Sequence, residues 1–205
     1  MMAKKKSINA ANKKETVSYS AVVIGTSAGG LAALQILFKQ VDKKFALPII
    51  VVQHLYPESD DFLAQNLNLI CKLPVKEAAE KEMIRPGEVF ISPANYHLLI
   101  EDDHTFSLNI DPKVNYCRPS IDVLFESAAQ VYTNQLIGVL LTGANNDGAK
   151  GLKRIKEMGG ITIAQDPQTA EIPAMPLSAI KLFPVDFILP LQQIYAKIKI
   201  LSESS

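Results

Sequence analysis

Apolar residues are arranged along this chain in two alternating ways. Short, nearly continuous apolar runs occur at 21–24 (AVVI), 46–53 (ALPIIVVQ), 136–141 (LIGVLL) and 161–164 (ITIA). Such runs predict parallel strands covered on both faces. Between them the apolar spacing changes to three and four, at Leu31, Leu34, Leu37 and Phe38, then Phe62, Leu63, Leu67 and Ile70. It recurs at Val123, Leu124, Ala128 and Val131, and at Leu152, Ile155 and Met158. Each set marks one face of a helix. Ser120 is placed to N-cap the third helix, and Gly159-Gly160 to stop the fourth. A helix from Leu177 to Leu182, a strand from Val185 to Leu189 and a helix from Leu191 to about Leu201 complete the pattern.

Residues 75–110 differ. Four short β-like runs (Val75 to Ala78, Glu88 to Ser92, His97 to Glu101 and Phe106 to Ile110) are separated by turn-forming triplets such as Arg85-Pro86-Gly87. They read as meandering strands and hairpins, not as another crossover unit. Strands alternating with helices through right-handed crossovers imply an α/β fold. The expectation is a single doubly wound, mainly parallel sheet, Rossmann-like and three-layered, with an antiparallel hairpin region.

Composition narrows the function. In 205 residues, 21 Lys and Arg balance 21 Asp and Glu, so no basic surface points to nucleic acid. Hydrophobic residues make up 48%, enough for a real core in a domain of this size. Met1 to Ser18 carry Lys4, Lys5, Lys6, Lys13 and Lys14 without apolar periodicity and are expected to be a mobile basic tail, leaving 19–205 as one domain. The tail lacks the apolar centre of a secretory signal, and no stretch is long enough to cross a bilayer, so a cytoplasmic protein without membrane insertion is expected. Cys71 and Cys117 show no CxxC spacing and the three histidines no zinc pattern. Free thiols, no metal and no cofactor follow.

The candidate chemistry lies at the ends of the apolar runs. Gly25-Thr26-Ser27-Ala28-Gly29-Gly30 joins the first strand to the first helix, a turn that leaves the Ser27 hydroxyl exposed and fits the G-x-S-x-G nucleophile elbow. Phosphate binding at a helix start is a competing reading, and a turn serving only close packing is another. The dinucleotide fingerprint fails, because Ser27 takes its middle glycine position and the next strand ends at His54 where an acidic residue is wanted. A third strand end carries Asp147, a candidate carboxylate or a helix cap. Imidazole titrates near neutrality and is suited to take a serine proton, and a buried carboxylate fixes the imidazole tautomer. Ser27, His54 and Asp147 supply these parts in an order foreign to ordinary α/β-hydrolases. His97 and His104 read as turn or surface histidines.

The chain resembles the catalytic domain of the CheB-type chemoreceptor methylesterases from about Ser20 to Leu191. The motifs are VVIGTSAGG, VVQHLYPE, ISPANYHLLIE, CRPSIDVLFESAA, GVLLTGANNDGAKGL and ITIAQDPQTAEIPAMPLSAI. The resemblance implies hydrolysis of glutamyl γ-methyl esters on cytoplasmic helices of chemoreceptors, and often glutamine deamidation, by Ser27, His54 and Asp147. Backbone N–H groups of Ala28 and Ala144 are expected to hold the oxyanion, and Arg118 either to dock acidic receptor helices or to form a structural salt bridge. Ala144-Asn145 stand where the family usually has Met-Gly, which alters the wall beside the ester. The family commonly carries a phosphorylation-receiver domain that eighteen N-terminal residues cannot form, so a stand-alone enzyme, an excised fragment and an enzyme controlled by a separate regulatory chain are the open expectations. A serine esterase acting on another protein or a small ester, a phosphate-binding or nucleotide-binding module, and an interaction protein with a vestigial triad remain alternatives.

Overall fold

The computed structural model describes residues 18–203, and the proposed N-terminal tail lies almost wholly outside them. The first strand, β1 (Ala21–Thr26), is buried along its whole length and feeds helix α1 (Gly30–Phe38). Strand β2 (Ile49–Gln53) and helix α2 (Phe62–Asn68) follow, then short strands β3 (Val75–Glu77) and β4 (Val89–Ile91). A hairpin of β5 (His97–Ile100) and β6 (Phe106–Asn109) precedes helix α3 (Ile121–Tyr132) and strand β7 (Leu136–Leu140). Helix α4 (Ala149–Glu157), strand β8 (Ile161–Gln165), helix α5 (Ala174–Leu182), strand β9 (Phe187–Leu189) and helix α6 (Leu191–Glu203) complete the order.

Seven strands pair in parallel in the order β3-β4-β2-β1-β7-β8-β9, and β5 and β6 form a separate antiparallel pair. The doubly wound parallel sheet and the hairpin region agree with the sequence expectation. The runs around Val75 and Val89 do not belong to a meander, however: β3 and β4 extend the main sheet as parallel strands. Each is only three residues long, too short to show a period, and no helix separates them to signal a crossover.

Alternation along β1 divides the core into two layers. Val22 and Ile24 face one side, packed with Leu34 and Phe38 of α1, Leu67 of α2 and Ile194 of α6. Ala21 and Val23 face the other, with Leu124 and Phe125 of α3, Leu152 of α4 and Phe106 of the hairpin. The opposing faces of a strand thus carry two helical layers. Gly25 permits the closest approach: a Cβ there would lie 2.3 Å from Ile121 Cγ2. The bare backbone lets the first residue of α3 rest on the end of β1, which places that helix's N-terminus over the strand ends.

The chain leaves β1 towards β2 on one side of the sheet and returns to β7 on the other, so β1 flanks the point where strand order reverses. In open α/β sheets the carboxyl-end crevice at such a point is the ligand site.

Candidate active site

Three loops meet there. Ser27 follows β1 directly, and its peptide is fixed on both sides: its N–H donates to Thr142 O at 3.0 Å, and its carbonyl accepts from Gly30 N at 2.8 Å and Gln53 Nε2 at 2.9 Å. Gly29, at φ 77, turns the chain into α1 in a conformation that L side chains rarely adopt. His54 follows β2, with its N–H donating to Thr26 O at 3.2 Å. Register between β1 and β2 pairs Thr26 with Gln53, so Ser27 and His54 leave the sheet side by side.

His54 Nδ1 lies 3.0 Å from Ser27 Oγ, and His54 Nε2 lies 2.8 Å from Asp147 Oδ2. The three residues therefore form one hydrogen-bonded chain. With the Nε2 proton donated to the carboxylate, Nδ1 presents its lone pair to the serine hydroxyl. The His54 side chain is 12% exposed and that of Asp147 is fully buried.

The burial of Asp147 is offset by five donors. Oδ1 accepts from Asn115 Nδ2 (2.9 Å), Ser120 Oγ (2.8 Å) and Asp122 N (3.3 Å), while Oδ2 accepts from Ile121 N (2.6 Å) and His54. The carboxylate thus occupies the N-terminus of α3, where unpaired N–H groups and the helix dipole favour an anion. Burial pushes its carboxyl up, but the hydrogen bonds from His54, Asn115 and Ile121 together outweigh it and hold Asp147 below the usual carboxylate range. Ser120 does not cap α3 with its own side chain; its hydroxyl serves Asp147. Asn115 also donates to Asp122 Oδ2 at 2.9 Å and so bridges two buried carboxylates.

For His54, burial opposes the charged ring, yet hydrogen bonds with Asp147 and Cys117 raise its pKa from 6.5 to about 9. A base must be neutral to accept a proton, so kcat/KM should fall as pH drops through that raised value. The acid limb is expected well above 6.5 in a pH–rate profile; a midpoint at or below 6.5 would contradict the coupling.

The other expected site residues divide. The N–H groups of Ala28 and Ala144 have no hydrogen-bond acceptor among the described residues, and both residues are exposed, as oxyanion donors would need to be. Gly143 lies against Ser27, since a Cβ on it would sit 3.0 Å from Ser27 Cβ. The expected structural salt bridge of Arg118 does not form among the described residues. Its guanidinium donates instead to Asn95 Oδ1, Ile110 O and Asp111 O, tying down the loop before α3. His104 is an exposed turn residue at φ 60, as expected. His97 is not at the surface: it is 1% exposed, with Nδ1 accepting from Ser120 N and Nε2 donating to Pro112 O. It supports the segment that carries Ser120 to Asp147.

Three contributors were not anticipated. Gln53 grips the Ser27 carbonyl, Asn115 holds Asp147, and Cys117 Sγ lies 3.6 Å from His54 Nδ1. The sequence signal for Cys117 was its place in the CRPS motif before α3. His54, Cys117 and Asp147 are also the metal-capable group among the described residues.

The CheB methylesterase family profile matches residues 22–198. The chain belongs to the CheB methylesterase family. All three residues of the hydrogen-bonded chain fall in the matched span. A Leptospira interrogans protein provisionally named protein-glutamate methylesterase/protein-glutamine glutaminase is 52% identical over 178 residues, covering 87% of this chain and 92% of that protein. The Thermotoga maritima protein-glutamate methylesterase/protein-glutamine glutaminase is 38% identical over 188 residues, covering 90% of this chain and 55% of the relative. The chain thus spans about half of that longer CheB protein. The crystal structure of the Thermotoga maritima CheB methylesterase catalytic domain superposes with a TM-score of 0.86 at 38% identity, covering 92% of this chain and 100% of that one. The doubly wound sheet is therefore the fold of a CheB catalytic domain.

Proposed function

We propose that this chain hydrolyses glutamyl γ-methyl esters of chemoreceptors, and the corresponding glutamine amides, through an acyl-enzyme on Ser27. The hydrogen-bonded chain from Ser27 Oγ through His54 to buried Asp147 carries the reading. Ser27 Oγ attacks the ester carbonyl carbon while its proton passes to Nδ1 of neutral His54. Asp147, charged throughout, stabilises the imidazolium and keeps the other proton on Nε2. The N–H groups of Ala28 and Ala144 receive the developing oxyanion. Collapse breaks the bond to methoxide, which leaves as methanol with the proton from Nδ1. Water then loses a proton to Nδ1 and attacks the acyl carbon; the C–Oγ bond breaks, Oγ takes the proton back from Nδ1, and glutamate leaves. With an amide substrate the leaving group is ammonia.

A protein substrate suits the surroundings. A groove of about 370 Å³ is lined by Leu31, Gln53, Leu55, Glu58, Phe62 and Leu63, among others, and so takes in the residues on either side of His54 in sequence. Leu31 and Phe62 expose apolar surface there, as docking of a receptor helix would require. No helix among the described residues is long and apolar enough to cross a membrane, and a substrate on cytoplasmic receptor helices would require a cytoplasmic enzyme. Incubation with chemoreceptors bearing labelled methyl esters should release labelled methanol, with far lower kcat/KM on a simple methyl ester of a free amino acid. Equal rates on both would favour a general small-ester hydrolase.

A further inference from the structure

One lone pair is shared between two neighbours in this site. With the His54 Nε2 proton directed at Asp147, Nδ1 has a single acceptor position, and both Ser27 Oγ (3.0 Å) and Cys117 Sγ (3.6 Å) lie against it. The serine distance is that of a hydrogen bond. The sulfur distance has another match: zinc binds imidazole nitrogen at about 2.0–2.1 Å and thiolate at about 2.3 Å, so at a tetrahedral ion the two donors stand about 3.5–3.6 Å apart. His54 Nδ1 and Cys117 Sγ are thus already spaced as the edge of a zinc tetrahedron.

The surroundings favour that arrangement. The sulfur accepts a hydrogen bond from Asn145 Nδ2 at 3.2 Å, a donor that a thiolate keeps, while the thiol proton, now donated to the carbonyl of Asn115 at 3.4 Å, is the one that binding displaces. Asp147 on the far side of the ring would supply the carboxylate that commonly orients a metal-bound histidine through its other nitrogen. Ser27 Oγ, 3.0 Å from the same nitrogen, is the candidate third donor, and water can complete the shell. A soft thiolate with an imidazole selects zinc over magnesium or calcium.

We infer that Cys117 and His54 form an inhibitory zinc site that shuts the esterase by occupying the nitrogen Ser27 needs. Binding releases the thiol proton to solvent and forms Zn–S and Zn–N bonds, with no redox change. The inhibitory half rests on the reading of His54 as the base; the binding half does not.

The test uses the full chain freed of metal. Cobalt(II), a spectroscopic stand-in, should bind with a thiolate-to-metal charge-transfer band in the wild type and in Cys71→Ser, whose cysteine packs against the core layer that holds Leu67 of α2. Cys117→Ser should lose the band and bind zinc roughly tenfold or more weakly, measured by competition with a chromogenic chelator. Zinc should suppress methanol release in the wild type with the midpoint of binding, and EDTA should restore it. No band in the wild type, a band retained in Cys117→Ser, or one lost in Cys71→Ser would overturn the site. Tight binding with undiminished methanol release would overturn the inhibitory half and, separately, the role of His54. Should Cys117→Ser not fold, zinc must protect Cys117 of the wild type from iodoacetamide, read by peptide mass; an unprotected thiol refutes the site.

Discussion

Asp147→Asn is expected to lower kcat roughly 10⁴-fold and to destabilise the fold by about 3 kcal/mol. Both effects come from the same five donors. An amide keeps the shape of the carboxylate but turns one acceptor into a donor. If the new NH2 faces Asn115, Ser120 Oγ and Asp122 N, it meets donors where the side chain is fully buried and water is excluded. If it faces the other way, it opposes Ile121 N and His54 Nε2. The ring then takes its proton on Nδ1, pointed at Ser27, and can no longer accept one. The negative charge at the start of α3 is lost in either case, so the helix that packs against β1 loosens with the site. The pH dependence follows: the Asp147 pKa is lowered in the fold, so its contribution is complete above about 3.8. It fades as pH falls through the lowered value. Urea unfolding and methanol release measured on the same preparation check both halves; wild-type stability would show that Asp147 does not organise α3.

Much of this is legible in the sequence. Ser27 and His54 stand directly after apolar runs, and parallel strands joined by a crossover bring their carboxyl ends to one rim, so periodicity alone predicts their proximity. Asp147 follows the same rule after β7. The rest depends on backbone conformation that no hydrophobic period records. The segment from Ile110 to Pro119 returns over the site through positive φ at Asn115 (49°) and Tyr116 (65°), delivering Asn115 and Cys117 to Asp147 and His54. Composition makes Cys117 an ordinary free thiol; only the fold shows its neighbour. His97 sits next to turn residues in sequence, yet its ring is buried beneath the return path of that segment. Arg118 looks free for an acidic partner, but neutral oxygens of Asn95 and of the segment's own start, Ile110 and Asp111, use its donors.

In the proposed reaction the Ser27 hydroxyl is the group that attacks the ester. The enclosure of its backbone makes the test clean, because the peptide is held by Thr142, Gly30 and Gln53, and those contacts do not involve the side chain. Ser27→Ala removes one exposed-edge oxygen and leaves the β1–α1 turn intact, so unfolding should be unchanged. Members of a triad act as a unit, and loss of the nucleophile costs about 10⁶-fold in kcat in a serine hydrolase. The decisive measurement is labelled methanol released from methylated chemoreceptor by folded Ser27→Ala beside the wild type. Release at or near background is the predicted result, and release within roughly tenfold of the wild type would contradict the account.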